Sequence, residues 1–290
     1  MAETVIVTPA TLRDWELPAP GSDKEARGQL LVLAGTESTG GAVLLAGEAA
    51  LRAGAGKLAM LTVKATASAL GLAVPEAQVL GLDSEAGNVA PTAADVIVEH
   101  AQSADVLLVG PGFSDPDASA GLLERVLPRL DCPLVMDALA SAYLTENPEG
   151  LRHLDGRVVV TMNPNELAHT AGLDADDVTR DPLAAARAVA ERSRVVVVCG
   201  GTSKHVVTST GESWVVEGGG PGLGVSGSGD VQAGIVAGLL SRGAEPAQAA
   251  VWGAYLHART GERLAAAVGK VGYLALELPP QVPAVLTELG

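Results

Sequence analysis

The sequence predicts an α/β fold in one domain spanning residues 1–290, with a mostly parallel central sheet covered by helices on both faces. Three observations predict it. Short apolar runs alternate with helical patterns almost throughout the chain, as parallel strands joined by crossover helices do. The run Val195-Val-Val-Val-Cys199 is apolar at every position, which fits a strand buried on both faces rather than on one. Aromatic residues make up only 2% of the 290, so the core must be packed from Ala, Val and Leu between regular layers.

Taken in order, residues 30–34 read as the first strand. Small residues follow at 35–41, then a helix near 42–52. Residues 57–63, 77–82, 106–109, 134–137, 158–161 and 195–199 read as further strands, and the Ala/Leu/Glu/Arg-rich segments 119–130 and 182–192 as helices. Around Thr210-Gly211-Glu212, the segments 205–209 and 213–216 predict a late antiparallel hairpin. The stretches 246–262 and 273–289 are expected to be helical. No linker rich in Pro, Gly or Ser divides the chain, and no repeat is present.

The most informative segment is Gly220-Pro-Gly-Leu-Gly-Val-Ser-Gly227-Ser-Gly229-Asp230, a glycine-dense loop running into an apolar helix. Glycines at 227 and 229 let backbone N–H groups converge, and with the helix dipole these donors suit an anion such as a transferring phosphoryl group. Asp230 then stands beside that anion, where a carboxylate can take a proton from a substrate hydroxyl. A plain Asp N-cap is the competing explanation, but capping alone does not require five glycines. Val231, Ile235 and Leu239 form a helical stripe. Gly234 and Gly238 permit close approach of a neighbouring helix, and Gly243 marks the end.

Other motifs leave alternatives open. Gly35-Thr-Glu-Ser-Thr-Gly40-Gly41-Ala42 has Walker A glycine spacing, but Gly41 replaces the lysine and Ala42 the magnesium-binding hydroxyl. It is either a turn into a helix or a loop lying against a ligand at the carboxyl end of a strand. Val109-Gly-Pro-Gly112-Phe is likewise a structural turn or a bare-backbone ligand loop. Asp137 ends a strand and either projects into the same crevice or caps the helix expected at 138–144. In Thr161-Met-Asn163-Pro164-Asn165-Glu166, a capping box with Pro at the first helical position accounts for the residues.

The net charge of −15 argues against a nucleic-acid partner, which requires a basic face. Cys132 and Cys199 are too few for a disulfide framework or a zinc site, and no histidine pair has metal spacing. Residues 1–21 lack the apolar core of a signal peptide, and no run reaches the ~18 residues of a membrane span. A cytoplasmic protein with reduced thiols and no membrane partner is expected.

In order, Thr39-Gly-Gly-Ala-Val-Leu-Leu, Ala50-Leu-Arg-Ala-Gly-Ala-Gly56, Val109-Gly-Pro-Gly-Phe, Thr161-Met-Asn-Pro-Asn-Glu, Gly227-Ser-Gly-Asp-Val-Gln-Ala-Gly-Ile-Val-Ala-Gly-Leu and Gly253-Ala-Tyr-Leu-His257 resemble the ADP/ATP-dependent NAD(P)H-hydrate dehydratases of the ribokinase-like superfamily. The resemblance covers most of residues 28–262. It implies a three-layer α/β/α ribokinase-like fold and repair of the hydrated cofactors NADHX and NADPHX. ADP or ATP would donate a phosphoryl group to the 6-hydroxyl with Mg2+ present, and phosphate elimination would restore NADH or NADPH. The resemblance makes Asp230 the catalytic residue. It assigns Gly41, Ala42, Gly112, Asn163 and Asp230 to the substrate, and Cys199, Gly200, Gly201, Thr202, Gly227, Ser228 and Gly229 to the nucleotide. It also implies a homo-oligomer.

Several positions depart from the family pattern. Asn163 stands in place of a histidine, and Leu139 in place of a second acid. Cys199 occupies a position where a lysine is common, with Lys204 the nearest other cation. Glu25-Ala-Arg27-Gly28 replaces a usual Lys-Gly-Asp. Two other readings remain: a ribokinase-like kinase for a vitamin precursor or sugar, and a nucleotide-binding protein that no longer catalyses.

Overall fold

The computed structural model describes residues 3–201 and 203–289. Its strands are β1 (Val5–Ile6), β2 (Gln29–Leu33), β3 (Lys57–Val63), β4 (Ala77–Leu82), β5 (Ser84–Glu85), β6 (Asn88–Val89), β7 (Val106–Val109), β8 (Leu134–Asp137), β9 (Val158–Met162), β10 (Val196–Cys199), β11 (Ser203–Val207) and β12 (Ser213–Glu217). Ten of these form one sheet in the order β1-β12-β11-β10-β9-β8-β7-β2-β3-β4, and β5 pairs only with β6. From β4 across to β10 every pairing is parallel, whereas β11 is antiparallel to both of its neighbours.

The helices are α1 (Pro9–Arg13), α2 (Gly40–Ala53), α3 (Lys64–Ala73), α4 (Ala94–Ala101), α5 (Pro116–Val126), α6 (Tyr143–Glu146), α7 (Pro164–Ala171), α8 (Ala175–Arg180), α9 (Pro182–Ser193), α10 (Ser228–Ser241), α11 (Pro246–Ala267) and α12 (Val282–Leu289). They cover both sheet faces because successive strand residues point to opposite sides. Leu30 and Val32 of β2 belong to a core shared with α2, α10 and α11. Leu31 and Leu33 belong to a second core shared with α4, α5, α7 and α9. This is the three-layer arrangement.

Helix α10 is more deeply placed than a single apolar stripe predicts. Every residue from Val231 to Ser241 is buried, as expected of a helix with apolar or small residues all round. Its small residues set the approach to α2: a Cβ on Gly234 would lie 2.2 Å from the Ala46 carbonyl oxygen, and one on Gly238 2.4 Å from that of Ala50.

Two helical expectations need correction. Residues 273–289 are not one helix. Two 3₁₀ turns, Ala275–Glu277 and Pro279–Gln281, precede α12, because Pro279 and Pro280 supply no backbone N–H to carry an α-helix onward. After Asp137 the chain makes a 3₁₀ segment, Ala138–Ala142, before the single turn of α6, and Ala138 takes a left-handed φ of +51°. Asp137 stands at the N-cap of that segment, but its side chain makes no capping hydrogen bond.

The chain leaves β2 to build β3 and β4 on one side, then returns to place β7 on the other side of β2. That reversal is a topological switch point, where loops diverge and leave a crevice at the strands' carboxyl ends. The two loops there are tied together. Gly35 N donates to the Pro111 carbonyl at 2.8 Å, and Thr39 Oγ1 donates to that of Gly112 at 2.6 Å.

Candidate active site

Beside the switch point, the carboxyl ends of β8, β9 and β10 and the loop before α10 enclose an open cleft of about 770 Å³. The volume lies within the usual range for small-molecule sites. Asp137 comes from β8, Thr161 and Met162 from β9, Gly200 and Gly201 from the turn after β10, and Gly227, Ser228, Gly229 and Asp230 from the start of α10.

The loop before α10 is shaped by its glycines. Gly227 is the N-cap with φ +89°, and a Cβ there would also lie 2.5 Å from a Leu45 methyl on α2. Helix geometry leaves the first-turn N–H groups without intrahelical acceptors. Ser228 N finds the Val225 carbonyl at 3.2 Å, so the amides of Gly229 and Asp230 are the donors that face an incoming anion. Asp230 is therefore not the cap. It sits in the first turn, beside those donors.

Two carboxyl groups in the cleft are pushed toward protonation. Burial raises Asp230 to about 6. Asp137, 7% exposed, is raised to about 7, chiefly by desolvation, with the charges of Asp230 and Glu166 adding to the effect. Its bond from Thr161 Oγ1, at 2.6 Å, opposes the rise without cancelling it. A carboxylate with a pKa of about 6 is suited to accept a proton near neutral pH.

On the opposite wall, Ser228 Oγ and His257 Nε2 are 2.8 Å apart, which fixes the His257 ring of α11 under the loop. Burial lowers His257 well below the usual histidine value, and the nearby Lys204 charge adds to that. Its Nδ1 is buried without a partner among the described residues. Lys204 of β11 also lines the cleft, and desolvation brings its ammonium down to about 8.

The residues anticipated from sequence divide into two groups. Asp230, Asn163, Gly200, Gly201, Gly227, Ser228 and Gly229 line the cleft together. Gly41, Ala42 and Gly112 do not line it. A Cβ on Gly112 would meet that of Ala42 at 2.7 Å, so these two pack against each other at the switch point, while Gly41 beside them is exposed, with open space where a Cβ would stand. The loops at 35–42 and 110–113 thus lie beside the cleft that the 220–230 loop lines rather than in it. Cys199 also stays out of the cleft. It is buried in the core below, its thiol pushed up to about 12 mainly by desolvation, and its Sγ donates to the Gly200 carbonyl at 3.4 Å. Thr202 lies outside the described residues.

Asn163 is committed to α7. Its Oδ1 accepts from Asn165 N at 2.9 Å and Glu166 N at 3.0 Å, while Glu166 Oε2 accepts from Asn163 N at 2.9 Å. From sequence, Lys204 was only the nearest other cation to Cys199 and His257 was no site residue, yet both line the cleft. His257 falls within one of the quoted motifs, but the contact of its ring with Ser228 joins residues 29 positions apart and has no local signature.

Known proteins resemble this chain in both sequence and fold. The profile of the NAD(P)H-hydrate dehydratase family matches residues 30–283. Over 284 residues the chain is 43% identical to an ADP-dependent (S)-NAD(P)H-hydrate dehydratase of Xanthomonas campestris, covering 98% of this chain and 96% of that one. It is 32% identical over 268 residues to the bifunctional NAD(P)H-hydrate repair enzyme Nnr of Escherichia coli, covering 92% of this chain but 49% of that protein. The chain thus spans about half the length of such bifunctional relatives. A ribokinase-like superfamily protein from Enterococcus faecalis superposes with a TM-score of 0.85 at 23% identity, over 99% of this chain and 96% of that one. A Bacillus subtilis ADP/ATP-dependent NAD(P)H-hydrate dehydratase, co-crystallised with ATP and Mg2+, superposes with a TM-score of 0.80 at 23% identity over the whole of both chains. At that identity, the two structures establish the ribokinase-like fold.

Proposed function

The chain belongs to the NAD(P)H-hydrate dehydratase family, and from that membership we propose how its cleft works. The reaction is the dehydration of NADHX and NADPHX to NADH and NADPH, driven by ADP or ATP. The 6-hydroxyl oxygen of the hydrate attacks the terminal phosphorus of the nucleotide, and Asp230 takes the hydroxyl proton. The shortened nucleotide leaves. Loss of phosphate from C6 and of a proton from C5 then restores the dihydronicotinamide ring.

The observation that carries this reading is the position of Asp230. Its carboxyl group, raised to about 6, shares one cleft with the free amides of Gly229 and its own backbone. Proton acceptor and anion cradle thereby act on the two partners of one phosphoryl transfer. Fixed N–H dipoles that meet negative charge as it develops need no reorganisation during the step. The nucleotide phosphates lie over Gly227–Gly229 and the turn at Gly200–Gly201. The hydrate extends toward Asp137 and the switch-point glycines Gly41 and Gly112, with Ala42 between them. Asn163 closes the rim as a helix cap.

Magnesium fits this site as a passenger of the nucleotide. No cluster of three His, Cys, Asp or Glu side chains able to hold a metal occurs among the described residues. Magnesium held by phosphates needs only one or two carboxylates, and Asp137, ionised by the nearby ion, would provide one while Asp230 stays free as base. When bound, it would offset the charge of the transferring group.

The test is direct. Protein incubated with hydrated NADH, magnesium and ADP or ATP should restore NADH absorbance in a nucleotide-dependent manner. Accumulation of a stable phosphorylated product without NADH would instead identify a kinase, and nucleotide binding without any turnover a binding protein.

A further inference from the structure

Lys204 is the only lysine or arginine among the described residues that line the cleft, which also holds three carboxyl groups, Asp137, Glu166 and Asp230. Its side chain is 5% exposed, yet it has no hydrogen bond or ion pair among the described residues. A largely buried ammonium without a partner is costly, and an acceptor supplied by a ligand in the cleft would offset that cost. The register shows how it reaches the site. In β11, Lys204 lies opposite Val216 of β12 and alternates with His205, which pairs with Cys199 of β10. Val206 and Val216 belong to the α10 and α11 core, whereas Cys199 belongs to the other. Lys204 therefore rises on the sheet face that carries Ser228 and His257, and Cys199 points away from it. Lys204 is close enough to His257 for its positive charge to disfavour protonation of the ring.

We propose that the Lys204 ammonium binds the polyphosphate of the nucleotide from the β11 side, opposite the amides of Gly229 and Asp230. This rests on the reading of the cleft as a nucleotide site and adds the one side-chain cation that site contains. An anion of several charges entering a cleft lined by three carboxyl groups needs that countercharge, and a charge-assisted bond to phosphate supplies Lys204 with its missing acceptor. Lys204 thereby favours ligands with a phosphate beyond the first.

The experiment compares binding of ADP and AMP, with magnesium, to the wild-type protein, Lys204→Met and Lys204→Arg by calorimetry. Lys204→Met should weaken ADP binding by roughly ten- to a hundredfold, the effect of losing one hydrogen bond to a charged group, and leave AMP nearly unchanged. Lys204→Arg should recover much of the ADP affinity. The melting temperature of Lys204→Met should equal or exceed that of the wild type, because an unpaired buried charge has been removed. Unchanged ADP affinity in Lys204→Met, or equal loss for ADP and AMP with a lowered melting temperature, overturns the proposal. Wild-type NADH recovery from the hydrate reports separately on the dehydratase reading. Recovery with an unaltered Lys204→Met affinity sinks the lysine alone. Lysine-dependent ADP binding without recovery sinks the dehydratase alone, and absence of ADP binding in the wild type sinks both.

Discussion

Asp137, at the end of β8, and Asp230, in the first turn of α10, open onto one cleft, and the charge on Asp230 helps to hold a proton on Asp137. The two acids are thereby separated in role. Asp230 ionises first and can serve as base, while Asp137, raised to about 7, remains largely protonated until higher pH.

Replacement of Asp230 by Asn keeps the shape of the side chain and removes its basicity. The Asp230→Asn protein should melt normally and bind nucleotide, while kcat for hydrate dehydration falls by roughly 10²–10⁴-fold. Undiminished kcat would end the assignment of Asp230 as base.

The pH profile of kcat/KM should be bell-shaped. A base must be deprotonated to act, so the rate should rise with pH through about 6, the value of Asp230, and level off above it. If Lys204 holds the phosphates, the rate at limiting nucleotide should fall again as the ammonium is lost through about 8. The other groups facing the cleft are Asp137 on β8, Glu166 on α7 and His257 on α11. Glu166 is raised by burial, and His257 is lowered well below the ordinary histidine value by burial and by the Lys204 charge. A rate that is flat between pH 5 and 7 would contradict the lower limb.

Asp137 should make the fold less stable as pH rises. Its pKa is higher in the folded state than the ordinary aspartate value of 3.8, so the folded protein holds a proton that the unfolded chain releases. The stability this confers is complete below about 3.8 and is lost as pH climbs to about 7. Asp137→Asn keeps an acceptor for Thr161 and removes the charge. It should melt a few degrees above the wild type at pH 8 and close to it at pH 4.5. An equal difference at both pH values would show that packing, not ionisation, separates the variants.

The contact between α10 and α2 should tolerate no side chain at Gly234. A Cβ there would meet the Ala46 carbonyl at 2.2 Å, which is backbone and cannot rotate away. Gly234→Val should destabilise the protein by about 1–3 kcal/mol or more, the usual cost of overpacking, measured by denaturant unfolding. A variant as stable as the wild type would show that α2 can shift without cost.

Much of the fold was legible along the chain. The parallel strands 57–63, 77–82, 106–109 and 134–137 and the hairpin of β11 and β12 were marked by continuous apolar runs and by Thr210-Gly211-Glu212. The pairing of β1 with β12 was not, because β1 is two exposed residues long and carries no periodic signal. Prolines 279 and 280 interrupted a helical pattern whose composition read as continuous.

The sequence by itself determined the α/β class, the glycine cradle ending in Asp230 and the capping box at Asn163, because each is written in residues adjacent in the chain. Tertiary structure alone decided which side chains share the cleft. It placed Lys204 and Cys199 on opposite faces of the sheet, joined Ser228 to His257, and set Gly112 against Ala42 outside the main cleft. Strand order and the two-residue alternation of side chains fix these relations, and both depend on how distant segments pair rather than on which residues are neighbours.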